Sequence, residues 1–328
     1  MKRWRFLRML AAASAAASLE CIGGSARAAA GVFAEAKARV RALKARDDDS
    51  IIPAARTNCY DHGRQTELAV VLFHGFTNNP MQFARLAADL YARGCNVLVP
   101  RLPGHGDVDR MTHRLETLTA DQLIVAAIEA VDAARGLGQR LAISGISLGG
   151  ALCAFLATRC PHIDRCVPLA PALGLNHVPF DLNRFIVHAL TSTPQTAYAW
   201  WDPKLKEAIT PKHAYPRYPL RALGECYRIG EAAVDATGPF PARDRMHVVF
   251  EVNPLDGAVN NSLTEIVARS WNDRGYASTA FVEMRGLPPF HDVIEPDSPQ
   301  QRIGVVYPKI IALITGAHES DMKREPVF

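Results

Sequence analysis

The sequence predicts an α/β fold: a mostly parallel sheet with helices on both faces, interrupted once by a helical insertion. Three observations lead there. Short, largely apolar runs recur at 68–73, 96–100, 141–144 and 164–169, as in strands buried on both faces. Segments with helical spacing of apolar residues lie between them on short connections, the pattern of parallel strands joined by crossover helices. The alternation lapses from about 173 to 235 and then resumes, so the stretch between is an insertion into one core.

Composition agrees. The chain has 328 residues, 48% hydrophobic and 21% charged, with 22 Gly and 22 Pro. That excludes disorder, collagen and coiled coil, and the length suffices for a large buried core. The formal net charge of +4 sits wholly in the first 28 residues, so no basic nucleic-acid surface is expected.

Those 28 residues read as a secretory signal peptide. Lys2, Arg3, Arg5 and Arg8 open it, an alanine-rich apolar run follows, and Ala26-Arg27-Ala28 offers a cleavage point. The run is too short for a permanent span. An exported, periplasmic or secreted protein is expected; an oxidising compartment would permit one or two disulfides among the cysteines that remain, with no pairing legible from their spacing. No C-x-x-C occurs, and Cys160, His162 and Cys166 lack a zinc spacing. No metal or cofactor is expected, and the oligomeric state is not legible.

In chain order, 29–49 reads as a solvated helix leading into an irregular stretch that runs to about 65. The first buried strand is 68–73, followed by a helix at 81–93 with Gly94 as its stop. A strand at 96–100, a helix at 121–135, a strand at 141–144, a helix at 148–159 and a strand at 164–169 complete the first part of the core, 66–172. The cap, 173–235, concentrates eight aromatics, including Trp200 and Trp201, which are expected to line an apolar pocket. Arg217, Arg221 and Arg228 read as a solvated face. The core resumes at 236–316 with strands at 247–252 and 278–283 and helices at 262–272 and 301–315, before a tail at 317–328.

The sharpest motif is Gly145-Ile146-Ser147-Leu148-Gly149-Gly150. It fits G-x-S-x-G where a buried strand meets a helix, a turn so tight that small residues must flank the nucleophile. Ser147 then stands at a helix N-terminus, which favours developing negative charge. Two N–H donors are needed for an oxyanion: Leu148, and Phe76 in the His74-Gly75-Phe76-Thr77 loop. His74 reads as a brace for that loop.

An acid and a base must come from later loops. Asp256 follows the strand at 247–252; the rival readings are a turn aspartate, or Glu251, which lies inside the strand. His291 is the only histidine between that strand and the last helix, and it follows the last strand, where a base belongs. The rival reading is an exposed loop histidine. Asp292 reads as a brace of the same loop.

Together, His74-Gly75-Phe76, Arg101-Leu102-Pro103-Gly104-His105-Gly106 and Gly145-Ile146-Ser147-Leu148-Gly149-Gly150 resemble the α/β-hydrolase superfamily. The similarity is to its bacterial carboxylesterase and monoacylglycerol lipase branch, sometimes described as serine aminopeptidase-like. The resemblance implies an eight-stranded sheet, a cap after the sixth strand and a Ser147, Asp256, His291 triad. Asp256-Gly257-Ala258-Val259 resembles the family's D-x-x-V turn, and His105 is given a structural role. The implied function is hydrolysis of a small-molecule or lipid carboxylic ester through an acyl-enzyme. The alternatives are a peptidase or thioesterase on the same triad, or a non-catalytic binding protein of the same fold.

Overall fold

The computed structural model describes residues 25–208, 210–236 and 246–317. Seven strands form the main sheet: β1 (Asn58–Tyr60), β2 (Thr66–Phe73), β3 (Asn96–Val99), β4 (Gly138–Ile146), β5 (Arg165–Leu169), β8 (His247–Val252) and β9 (Ser278–Glu283), in the order β1-β3-β2-β4-β5-β8-β9. β1 pairs antiparallel with β3, and every other pairing is parallel. The helices are α1 (Ser25–Lys44), α2 (Ala84–Tyr91), α3 (Ala120–Ala134), α4 (Leu148–Ala157), α5 (Phe180–Thr191), α6 (Leu220–Val234), α7 (Asn261–Asp273) and α8 (Ile303–Thr315).

The central strands are buried because both faces are covered. Every residue of β3 and β5 is buried, and seven of eight in β2. The chain steps from β2 outward to β3, then back across β2 to β4. Right-handed crossovers therefore put α2 on one face and α3 and α4 on the other. α8 packs against α2, and α6 against α3 and α4. Sharp helix starts fix the connections: Thr119 and Gln122 form a capping box at α3, and the Asn260 side chain accepts from the Leu263 amide at α7.

The described sheet has seven strands where the resemblance implies eight. Ahead of β1 the chain forms α1, a 3-10 turn at Pro53–Ala55 and an isolated antiparallel bridge between Ile51 and Asp107. β1 itself was read as irregular. It is three half-exposed residues at an edge, too short to show a period.

Three further expectations are corrected. The N-terminal helix is not simply solvated: Ala36, Val40 and Leu43, spaced four and three apart, are buried on one face, and α1 packs against α3. Cysteines 59, 95, 153, 166 and 226 carry free thiols, with no disulfide among them. Arg217 is not on a solvated face; its guanidinium lies 4.3 Å over the Tyr198 ring and donates to the Met111 carbonyl.

The segment between β5 and β8 holds α5, a two-stranded antiparallel ribbon of β6 (Tyr198–Trp200) and β7 (Arg217–Pro219), and α6. α6 sits tightly on the core: a Cβ on Gly230 would stand 2.2 Å from the Ala172 carbonyl oxygen. Among the described residues no helix is long and apolar enough to cross a membrane. The expected leader lies outside them as far as residue 24, and its cleavage point falls in the first turn of α1.

Candidate active site

The carboxyl edge of the sheet gathers the chemistry. Ser147 follows β4 directly and opens α4 with φ 58° and ψ −114°, a conformation that costs a non-glycine residue roughly 1–3 kcal/mol. The turn persists because its neighbours hold it. Ser147 N donates to the Leu169 carbonyl at 3.0 Å, and Ala172 N to the Ser147 carbonyl at 3.0 Å. A Cβ on Gly149 would stand 1.9 Å from the Phe73 carbonyl oxygen, and one on Gly145 2.6 Å from the same atom. Glycine at both positions is what lets α4 start against the end of β2.

Asp256 and His291 meet across two loops. His291 Nδ1 lies 2.6 Å from Asp256 Oδ2, with the Asp256 side chain buried and His291 partly exposed. The other Asp256 oxygen accepts from the Ala258 amide at 2.7 Å. Burial alone would raise the Asp256 pKa, but the His291 charge and hydrogen bond and the Ala258 and Val259 amides outweigh it, and the carboxyl titrates below its ordinary value. For His291 the order is the same with the sign reversed. Burial pushes the imidazole down, the Asp256 charge and hydrogen bond push it up further, and the net shift is upward. Among the described residues, Ser147 Oγ makes no hydrogen bond to His291, a separation common before substrate binds.

The Phe76 and Leu148 amides, the two expected as oxyanion donors, lie at this edge. Leu148 N is the first of α4, and neither amide has an acceptor within the protein among the described residues. Both lie beside β2 and β4, which pair in register from Thr66–Gly138 to Phe73–Gly145. Three non-glycine residues with positive φ stand along this edge: Thr77 at 65°, Ser147 at 58° and Ala170 at 37°. They follow three adjacent strands, β2, β4 and β5.

His74 is a brace, not a base. Its Nδ1–H donates to the Gly75 carbonyl at 2.9 Å, and its Nε2 accepts from the Leu102 amide at 3.1 Å. Full burial keeps it neutral, with a pKa well below the ordinary value. His105 is equally buried, bonded to the Pro103 carbonyl through Nδ1, and burial lowers it to about 4. Asp292 also braces: it accepts from the Ile294 and Glu295 amides and from Gln82.

A model of the alpha/beta hydrolase family matches residues 70–301. The chain belongs to that family. Over 110 residues it is 32% identical to a thermostable monoacylglycerol lipase of Bacillus sp. (strain H-257), a stretch covering 33% of this chain and 42% of that one. The match thus spans about two fifths of its curated relative. Among solved structures, a chain of the metagenome-derived lipolytic enzymes LipS and LipT superposes with TM-score 0.63 at 20% identity, over 81% of this chain and 99% of that one. The monoacylglycerol lipase of Paleococcus ferrophilus gives 0.58 at 18%, over 79% and 98%. At such identities these structures show a shared alpha/beta hydrolase fold.

On that alpha/beta hydrolase frame the two cap tryptophans part company. Trp201 reaches the loop after β2: its ring meets Phe76 edge-on at 6.2 Å, and its Nε1–H donates to Thr77 Oγ1 at 2.8 Å. Trp200 instead carries the Lys206 ammonium 5.5 Å above its ring. Successive residues leaving a strand face opposite ways, which separates the pair that the sequence grouped.

The structure adds residues that the motifs do not name. The Tyr218 ring lies tilted 4.3 Å from Trp201 and meets Phe76 edge-on at 5.6 Å. Glu251, the rival acid, is buried in β8; burial and then the Asp256 charge raise its pKa to about 8. His213, Glu295 and Asp297 lie within metal-ligand reach of one another. Their donors do not suit a metal. The Asn79 side-chain oxygen accepts from Met81 N, so the amide nitrogen faces His213, donating to its carbonyl and lying 3.2 Å from Nδ1. The imidazole proton is then on Nε2, where it faces the two carboxylates and leaves no lone pair for an ion.

Proposed function

We propose that the chain is a serine hydrolase that cleaves carboxylic esters through an acyl-enzyme, in the manner of a carboxylesterase or monoacylglycerol lipase. The observation that carries this reading is the Asp256–His291 pair, standing at the same sheet edge as the strained Ser147 turn. The partial likeness to a monoacylglycerol lipase supports the ester as substrate class.

In this reading Ser147 Oγ attacks the ester carbonyl carbon while His291 Nε2 takes its proton. Asp256 holds the Nδ1–H and stabilises the imidazolium. The Phe76 and Leu148 amides donate to the oxyanion of the tetrahedral intermediate, and the α4 N-terminus adds its dipole. Collapse expels the alcohol, which receives the proton from His291. Water then gives a proton to His291 and attacks the acyl carbon, releasing the acid and restoring Ser147. Trp201 and Tyr218, whose rings pack against Phe76, would receive the acyl or alcohol group. The leader supports export to the periplasm or beyond, and the N-terminal sequence of the secreted protein tests it.

The deciding assay is turnover of p-nitrophenyl esters from acetate to palmitate and of a monoacylglycerol, beside thioester and peptide-amide panels. Ester turnover that disappears in Ser147→Ala is expected. Turnover of amides or thioesters alone would replace the ester assignment, and no turnover by folded protein would end it.

A further inference from the structure

We propose that Trp201, carried by the cap, is a positioning residue for the oxyanion hole: its indole N–H holds Thr77, and through Thr77 the Phe76 amide, so that the cap's placement sets turnover and not only substrate binding. The inference rests on the oxyanion role proposed above for Phe76.

Thr77 is the pivot. It is β-branched, 4% exposed, and has φ 65°. A branched side chain rarely adopts that backbone, and it persists only where surroundings hold it. Two of those holds come from the cap. Trp201 Nε1–H donates to Thr77 Oγ1 at 2.8 Å, and Tyr215 N donates to the Thr77 carbonyl at 2.9 Å. The adjoining Phe76 ring is bracketed by Trp201 at 6.2 Å and Tyr218 at 5.6 Å. Thr77 φ turns the peptide that joins Phe76 to Thr77, and through Phe76 Cα at the far end of that peptide a change in it displaces the Phe76 N–H, the proposed oxyanion donor.

The Trp201 bond is set apart by its economy of purpose. Trp201 is 43% exposed, and an indole that open to solvent can bond water. Instead it donates to a buried hydroxyl 124 positions away in the chain. The Tyr215 tie runs through backbone atoms and survives most substitutions. The Trp201–Thr77 tie joins two side chains, so substitution can remove either end.

The test is steady-state kinetics of the full chain on p-nitrophenyl butyrate. Trp201→Phe keeps a ring and loses the N–H; Thr77→Val keeps the branch and loses the acceptor. Each is expected to lower kcat about tenfold with KM within about twofold, since small misplacement of a reacting geometry acts on rate. The double variant is expected to lose no more than the larger single loss, because both remove one bond. Thr77→Ser, which returns the hydroxyl, should recover most of the kcat lost in Thr77→Val. Leu205→Ala, at a cap position 54% exposed, serves as the control and should stay near wild type. An unchanged kcat in Trp201→Phe and Thr77→Val, a change confined to KM, or losses that multiply in the double variant would each overturn the inference. Should Trp201→Phe fail to fold, Thr77→Val and Thr77→Ser decide alone. Wild-type turnover that survives Ser147→Ala would fail the functional reading instead, whatever the cap variants do.

Discussion

The Gln82 amide donates to the carboxylate of Asp292, 210 positions further along the chain, at 2.6 Å. Gln82 Oε1 accepts from the Gly75 amide at 2.7 Å. One buried side chain therefore ties the loop after β2 to the residue beside His291. Gln82→Met, which keeps the length and loses both bonds, leaves the Gly75 amide and the Asp292 carboxyl without this partner. A stability loss of about 1–3 kcal/mol is expected, with a lower kcat, measured by urea denaturation and ester turnover. Wild-type values for both would show that the two loops are held independently.

The pH profile follows from the Asp256–His291 pair. The proposed reaction needs a neutral imidazole, and the shift on His291 is upward from 6.5. As pH falls, the base is lost through its raised pKa, so kcat/KM should decline with an apparent pKa above 6.5. Asp256→Asn removes the charge that raises it, and the limb should move to lower pH as the rate drops by roughly 10⁴. An acid limb that does not move would take Asp256 out of the role.

Glu251 makes a prediction about stability. Its ordinary pKa is 4.5, and burial with the Asp256 charge raises it to about 8, against the pull of His291 and Lys309. The folded chain keeps a proton that the unfolded chain releases above 4.5, so stability declines as pH rises from about 4.5 to 8. Glu251→Gln removes that decline. Its Tm relative to wild type should be higher at pH 8 than at pH 5, and a difference independent of pH would contradict the assignment.

Two glycines on the same edge should behave oppositely. A methyl on Gly149 would stand 1.9 Å from the Phe73 carbonyl oxygen, whereas one on Gly257, beside Asp256, meets nothing within 4 Å. Gly149→Ala should lose at least about 1–3 kcal/mol together with activity, and Gly257→Ala should keep its fold. Equal stability of the two variants by denaturant titration would mean that α4 does not start against β2.

Much of this edge was legible because its physics is local. Strands buried on both faces leave apolar runs, and β3 and β5, buried throughout, fall where the runs at 96–100 and 164–169 predict them. A strained nucleophile turn needs Gly145 and Gly149 in the sequence itself. Asp256 and His291 were reachable because each follows a strand end, which is where a parallel sheet presents its loops. What stayed hidden depends on distant partners. Gln82 belongs to no motif, and its role exists only once residues 75 and 292 are brought beside it. Trp200 and Trp201 are chemically alike, and only the course of the chain at the end of β6 separates them. The buried stripe of α1 was masked by its alanines and charges, and β1 by its three-residue length.

The most direct measurement is covalent labelling of the full chain with a fluorophosphonate, followed by mass spectrometry of its peptides. A single adduct on Ser147 is expected, lost in Ser147→Ala and formed far more slowly in His291→Ala. An adduct on another residue, or none on folded protein, would contradict Ser147 as the nucleophile.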